Sequence, residues 1–171
     1  MSIIYIMFDF ITKSVKKIFG TKYDRDVAEY SPVVEQINEE FSKLQSLSFD
    51  ELRNKTLDFR QRIKEHLQGI DQDLLDIAAE SKTEEDLDRK EQLFKEMDEM
   101  RKERDKHLEV ILKEILPEAF AVVKETASRF TKNSEITVTA TEHDRELAVI
   151  SGKNYVRIEG DKAIWKNEWT A

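Results

Sequence analysis

Between Ile63 and Ile111 the apolar residues keep a rhythm of fours and threes. Ile63, Leu67, Ile70, Leu74 and Ile77 make one run; Leu93, Met97, Met100, Arg104, His107 and Ile111 restart it with two polar members. This spacing is the seam of a coiled coil. "ESKTEEDL", from Glu80 to Leu87, separates the runs with polar turn residues and offers a new helix cap at Thr83. Two seamed arms about a short turn predict an antiparallel helical hairpin over residues 64–115, its outer faces solvated by Glu and Lys. Gly69 weakens the first arm slightly.

Upstream, Val33, Val34, Ile37, Phe41 and Leu44 recur at helical spacing. Ser31 and Pro32 offer one start; a start near Asp24 is the other, with Pro32 then bending an early turn. "SFDE" has the spacing of a capping box between Ser48 and Glu51, and opens a third helix carrying Leu52, Leu57 or Phe59, Ile63 and Leu67. Residues 23–63 are thus read as a helical bracing segment. Before it, "MSIIYIMFDFI" is too short to span a membrane, and its positive charge follows the apolar run, the reverse of a signal peptide. From Met7 onward, Phe8, Ile11, Val15, Ile18 and Phe19 share one helical face, Lys13, Lys16 and Lys17 lie on the other, and Gly20 offers a stop. Residues 1–22 therefore read as a basic amphipathic helix that lies on an anionic membrane, docks in a partner's groove, or packs on its own domain.

Downstream, "LPEAFAVVKETASRF" predicts a separate helix over residues 116–132, with Pro117 and Glu118 in its first turn. Its wide apolar face, Leu116, Ala119, Phe120, Val123, Ala127 and Phe130, marks a strut buried between several neighbours. After Asn133 the period becomes two. "ITVTATE" alternates, "LAVISG" is short and apolar, and "YVRIEGDKAIWKNEW" pairs Val156 and Ile158 with Ala163 and Trp165 about a Gly160-Asp161 turn. Residues 133–171 form a small antiparallel β unit, and "EHDRE" (142–146) reads as a solvated turn between its strands. Trp169 leaves the last element hanging. The fold class is α+β, mainly α: N-terminal helices with a long antiparallel hairpin, then a small β unit.

Composition narrows function. With 39% apolar and 37% charged residues the chain is a folded, helix-rich protein, and its net charge of -8 argues against nucleic acid as a partner. It has no Cys, so disulfides and thiolate metal sites are excluded. His107 has no second His three or four residues away, so no metal site is expected there; Met97 and Met100 read as adaptable core. Its four glycines are isolated and no phosphate loop, "HExxH" or "GxSxG" occurs, so no catalytic, cofactor-binding or metal-binding residue is expected in this chain.

Three runs carry a resemblance. "IFGTKYDRDV" (Ile18 to Val27) is similar to the opening of SecA, the motor ATPase of protein export. "LSFDELRNKTLDFRQRI" (Leu47 to Ile63) resembles its next helix, with Leu52, Lys55, Thr56, Phe59 and Arg60 in place. "LPEAFAVVKETASRF" is almost the string that precedes the first motor motif of the family. The hairpin and the β unit, with "VTAT" and "YVRIEGDKAIWKN", resemble the long form found in the Bacteroidetes group.

The resemblance implies an N-terminal segment that braces the first nucleotide-binding domain. The family's Gln motif, "GEGKT" loop and "DE" pair have no counterpart here, so ATP and Mg2+ belong to the full-length motor. It further implies contact with the remaining motor domain through Leu116, Phe120, Val123 and Phe130. Phe8, Ile11, Lys13, Val15, Lys16, Lys17 and Phe19 would meet anionic membrane lipid, the Sec channel complex or a second copy of the chain. Preprotein would be met by the whole motor, at the inner face of the cell membrane. A free-standing helical adapter without catalytic activity is the alternative reading.

Overall fold

A computed structural model of the chain describes residues 21–150 and 154–168. Its helices are α1 (Lys22–Leu44), α2 (Phe49–Thr83), α3 (Leu87–Lys132) and α4 (Glu142–Ala148), and its strands are β1 (Glu135–Thr139), β2 (Val156–Glu159) and β3 (Lys162–Lys166). Mainly α with a small antiparallel sheet, it has the expected class.

The caps explain the helix starts. At α1 the Thr21 hydroxyl accepts from the Asp24 N–H, and the Asp24 carboxylate accepts from the Thr21 N–H at 2.6 Å. This capping box fixes the earlier of the two possible starts and leaves Pro32 inside the helix. The same device opens α2, where Ser48 and Glu51 exchange bonds as the sequence predicts. The cap expected at Thr83 is displaced. Thr83 closes α2, donating its hydroxyl to the Glu80 carbonyl, and Asp86 caps α3 by accepting from the N–H groups of Asp88 and Arg89. An Asp side chain reaches two amide donors and carries the charge that suits a helix N-terminus, so it wins over the nearby Thr.

α2 and α3 form the hairpin. Leu67, Leu93, Met97 and Ile111 are buried along the seam, with Ile63, Ile70, Leu74, Ile77 and Met100 half-buried. Arg104 is accommodated there by Asp71 on the facing arm. His107 sits at the exposed edge, its ring 5.7 Å from that of His66.

The separate strut over 116–132 does not exist as such. α3 runs unbroken from Leu87 to Lys132 with Pro117 inside it, and α2 likewise runs through the boundary expected at residue 63. A mid-helix proline loses one backbone bond, at a cost of about 3 kcal/mol. Burial of Ile111 and Ile115 before it and Ala121 after it keeps the backbone helical through that loss.

The sheet has the order β1-β3-β2, antiparallel throughout. Val156 faces Trp165 and Ile158 faces Ala163, the predicted register, across a turn in which Gly160 takes φ +62°. β1 completes a third strand, pairing Ile136 with Trp165 and Val138 with Ala163. "EHDRE" is not a solvated turn: it is α4, capped by Thr141 and Asp144. Leu147 and Ala148 end that helix instead of starting a strand, and Val149 is 84% exposed.

Two cores result. Leu44, Leu52 and Ala121 lock α1, α2 and α3 together, with Ile37, Phe41 and Val122 packed around them. Ile136, Val138, Val156 and Ala163 make the second, against which Phe49 of α2 and Phe130 of α3 pack.

Candidate functional site

The runs that carry the resemblance meet in space. Lys55 of α2 donates to Glu118 of α3 at 3.0 Å, and Arg62, two turns on, donates to the other carboxylate oxygen at 2.6 Å. Burial acts to raise the Glu118 pKa, but the two cations outweigh it and hold the carboxyl below its ordinary value. Two turns C-terminal of Glu118 lies a second pair. Arg129 Nε donates to Glu125 Oε1 at 2.7 Å, and its Nη2 donates to the Leu44 carbonyl at 3.1 Å, tying α3 to the end of α1. Both side chains are buried, Arg129 also lies over the Phe49 ring, and Glu125 Oε2 has no hydrogen-bond partner.

The first turn of α2 holds the β unit. Asp50 accepts from both the N–H and the hydroxyl of Thr139, each at 2.8 Å, at the edge strand β1. One turn on, both terminal nitrogens of Arg53 donate to the two Asp144 oxygens at 2.7 Å. Asp144 is fully buried and also accepts from the Thr141 N–H at 2.8 Å. Between α2, α3 and the sheet lies an open groove of about 930 Å³. Phe49, Leu52, Phe130, Ile136, Tyr155 and Trp165 make its walls largely apolar, and Thr56, Lys166 and Asn167 are at its margin.

The outer side of α3 is bare. At 3.6 residues per turn, Leu116, Phe120 and Val123 lie opposite Ala121, Glu125 and Arg129. They are 36%, 58% and 67% exposed, whereas Ala121 is buried. The face expected to be enclosed on all sides is thus enclosed on one, because α1 and α2 both pack on the inner side. Phe130 separates from the other three: it turns to the β-unit core, being one of the residues packed on Ile136 and its neighbours. The residues Phe8, Ile11, Lys13, Val15, Lys16, Lys17 and Phe19 lie outside the described residues. Among the described residues no group of three or more His, Cys, Asp or Glu is placed to hold a metal, and no helix is long and apolar enough to cross a membrane.

Sequence reading missed Arg53, Asp144, Glu125 and Arg129. A local signal existed for one: Thr141-x-x-Asp144 has the same cap spacing as Ser48-x-x-Glu51. Nothing local announces Arg53, 91 residues away from its partner.

Comparison with known proteins adds to this geometry. A family profile described as "SecA DEAD-like domain" matches residues 15–148. The chain is 43% identical over 159 residues to the protein translocase subunit SecA of Amoebophilus asiaticus, covering 92% of this chain and 14% of that protein. It is 44% identical over 157 residues to that of Cytophaga hutchinsonii, covering 91% and 14%, and 41% identical over 162 residues to that of Flavobacterium psychrophilum, covering 95% and 14%. No solved structure matches it.

Proposed function

The chain belongs to the SecA family of protein translocase subunits, and from that premise we propose that it serves as the brace of the translocation motor. It spans 14% of the length of the curated relatives it matches, so the motor's ATP hydrolysis, with its Mg2+, is assigned to the rest of the full-length protein. The observation that supports a bracing role is the bare outer face of α3. Leu116, Phe120 and Val123 form a line of apolar side chains on a helix whose other face is already fixed to α1 and α2. A contiguous apolar face of this kind marks the seat of a partner. The occupant is the remaining motor domain, which would receive α3 as one of its struts. Left uncovered, the same face would promote self-association.

The test uses a full-length SecA of a relative such as Cytophaga hutchinsonii from which the matching segment has been deleted. Residues 1–171 added in trans are expected to bind it and to restore ATPase activity. Phe120→Asp with Val123→Lys, both changes at exposed positions, is expected to abolish binding while the helical circular dichroism stays unchanged. Binding undiminished by the double change overturns the assignment of this face; no binding by the unaltered chain overturns the bracing role.

The basic amphipathic segment supplies a second contact. Lys13, Lys16 and Lys17 would each add about 1 kcal/mol of attraction near an anionic leaflet, with Phe8, Ile11, Val15 and Phe19 entering the acyl boundary. Peripheral attachment at the inner membrane face, next to the Sec channel and the preprotein, follows from this reading. Deleting residues 1–19 is expected to remove co-sedimentation with anionic vesicles, and raising the salt to weaken it. Vesicle binding equal in the deleted chain would rule the segment out.

A further inference from the structure

α3 brings two polar residues to the seam of the hairpin. One, Arg104, is accommodated by Asp71 of the facing arm. The other, His107, meets a second histidine: its ring and that of His66 on α2 have centroids 5.7 Å apart and planes tilted by 50°. Along the chain His107 has no histidine three or four residues away, but the fold supplies one from the opposite arm. A neutral imidazole has one ring nitrogen able to accept a proton or a metal ion, so two that face each other make a pair of ligands.

The spacing suits one ion. Zinc–imidazole bonds are about 2.0–2.1 Å long, which sets two rings on a tetrahedral ion with centroids about 5 Å apart. The 5.7 Å seen here is a small side-chain rotation from that figure. Both histidines are exposed, which leaves the rings room to turn and an ion a path in. A carboxylate stands beside them. Glu103 lies one turn before His107 on α3; its Oε2 takes the Lys106 ammonium at 2.8 Å, and its Oε1 is 3.8 Å from His107 Nε2. Two donors on one tetrahedral ion are about 3.4 Å apart at these bond lengths, so Glu103 falls just short of a third ligand and becomes one when its carboxylate turns. One turn beyond His66 comes Gly69, where an added side chain would meet no atom within 4 Å. A glycine inside a helix costs stability, and here it keeps the space beside the His66 ring clear. The nearby arginines are held by other acids, Arg62 by Glu118 and Arg104 by Asp71.

We propose that His66 and His107 form a binding site for one late first-row divalent cation of the zinc class, with Glu103 turning in as the third donor and water as the fourth. Two imidazoles and a single carboxylate suit such an ion, whereas calcium and magnesium take shells of oxygen. The ion bridges α2 and α3 and stiffens the hairpin where polar residues interrupt its seam. This inference rests on the hairpin alone and is independent of the partner assigned to the outer face of α3.

The chain has three histidines, and the third, His143, is an exposed residue of α4 outside the hairpin, which gives the test its control. Zinc chloride is titrated into the metal-free chain by calorimetry while the histidine ring resonances are followed by NMR. A single equivalent is expected to bind, to shift the His66 and His107 signals but not that of His143, and to raise the thermal midpoint. His66→Gln and His107→Gln are each expected to abolish binding, Glu103→Gln to weaken it several-fold and His143→Gln to leave it unchanged. All four positions are exposed, so the helical circular dichroism of every variant should match that of the unaltered chain. Binding that survives the loss of either hairpin histidine overturns the proposal, and so does an equal shift at His143, since the metal is then held adventitiously by exposed imidazoles. One ion to two chains, with a dimer in sedimentation, places the metal between copies and overturns it as well. Affinity unchanged by Glu103→Gln removes the third ligand, and with it the site as proposed.

Discussion

Replacing Arg53 with alanine is expected to destabilise the chain by about 2–4 kcal/mol, out of proportion to the exposure of the residue. Its partner is the reason. Asp144 has no exposed surface, and Arg53 supplies a bidentate pair of bonds to it. Breaking a buried pair from one side costs about 3–5 kcal/mol because the remaining charge has no solvent to turn to. Arg53 is 31% exposed, which tempers the figure, and the Thr141 N–H and hydroxyl continue to bond the carboxylate. The loss should fall on the β unit first, since Asp50 and Arg53 are the polar ties between α2 and that unit. Chemical denaturation followed by the near-ultraviolet signal of Trp165 reads it. A change under 1 kcal/mol would mean that α4 is held by its apolar contacts alone.

The same pair sets an acid limit. Burial pushes the Asp144 carboxyl up, but Arg53 and Thr141 bond the ionised form more strongly and take it from 3.8 to about 2. A folded-state value below the unfolded one contributes stability that is complete above about pH 4. That stability is lost as the pH falls toward 2, and amounts to about 2 kcal/mol. The Arg53→Ala chain should show a flatter acid limb in that window.

What the sequence disclosed follows the range of the forces involved. The Ser48 cap and the register of Val156 and Ile158 against Trp165 and Ala163 are set within a few residues, and both were legible. So was the hairpin seam, which repeats one local rule through many turns. The continuity of α3 was not, because Pro117 obeys a local rule that burial on two neighbouring helices overrides. Asp144 was hidden for a related reason. In "EHDRE" its neighbours are all polar, and an arginine brought from α2, added to the local Thr141 bonds, makes a buried carboxylate there tolerable. The candidate face on α3 was legible as apolar residues but not as a two-sided helix. Telling the inner row of Ala121, Glu125 and Arg129 from the outer row of Leu116, Phe120 and Val123 requires knowing where α1 and α2 pack.

That inner row yields the largest effect expected. Arg129→Met should cost about 3–5 kcal/mol, because it strands Glu125 inside the protein with neither oxygen bonded: Oε1 loses Arg129 and Oε2 has no partner to begin with. Glu125→Leu added to Arg129→Met should recover most of that loss. The double variant exchanges a desolvated ion pair for apolar groups of similar length, an exchange that is neutral or stabilising in many cores. One deficit would persist, since the Leu44 carbonyl at the end of α1 loses the donor at 3.1 Å, a net loss of about 1 kcal/mol. Thermal or urea unfolding of the two single variants and the double closes the cycle. Recovery in the double assigns the harm of Arg129→Met to the uncompensated carboxylate. A double variant as unstable as Arg129→Met alone would place the harm in the lost tie to α1 and the lost contact over Phe49, making Arg129 a clasp between helices and Glu125 a bystander.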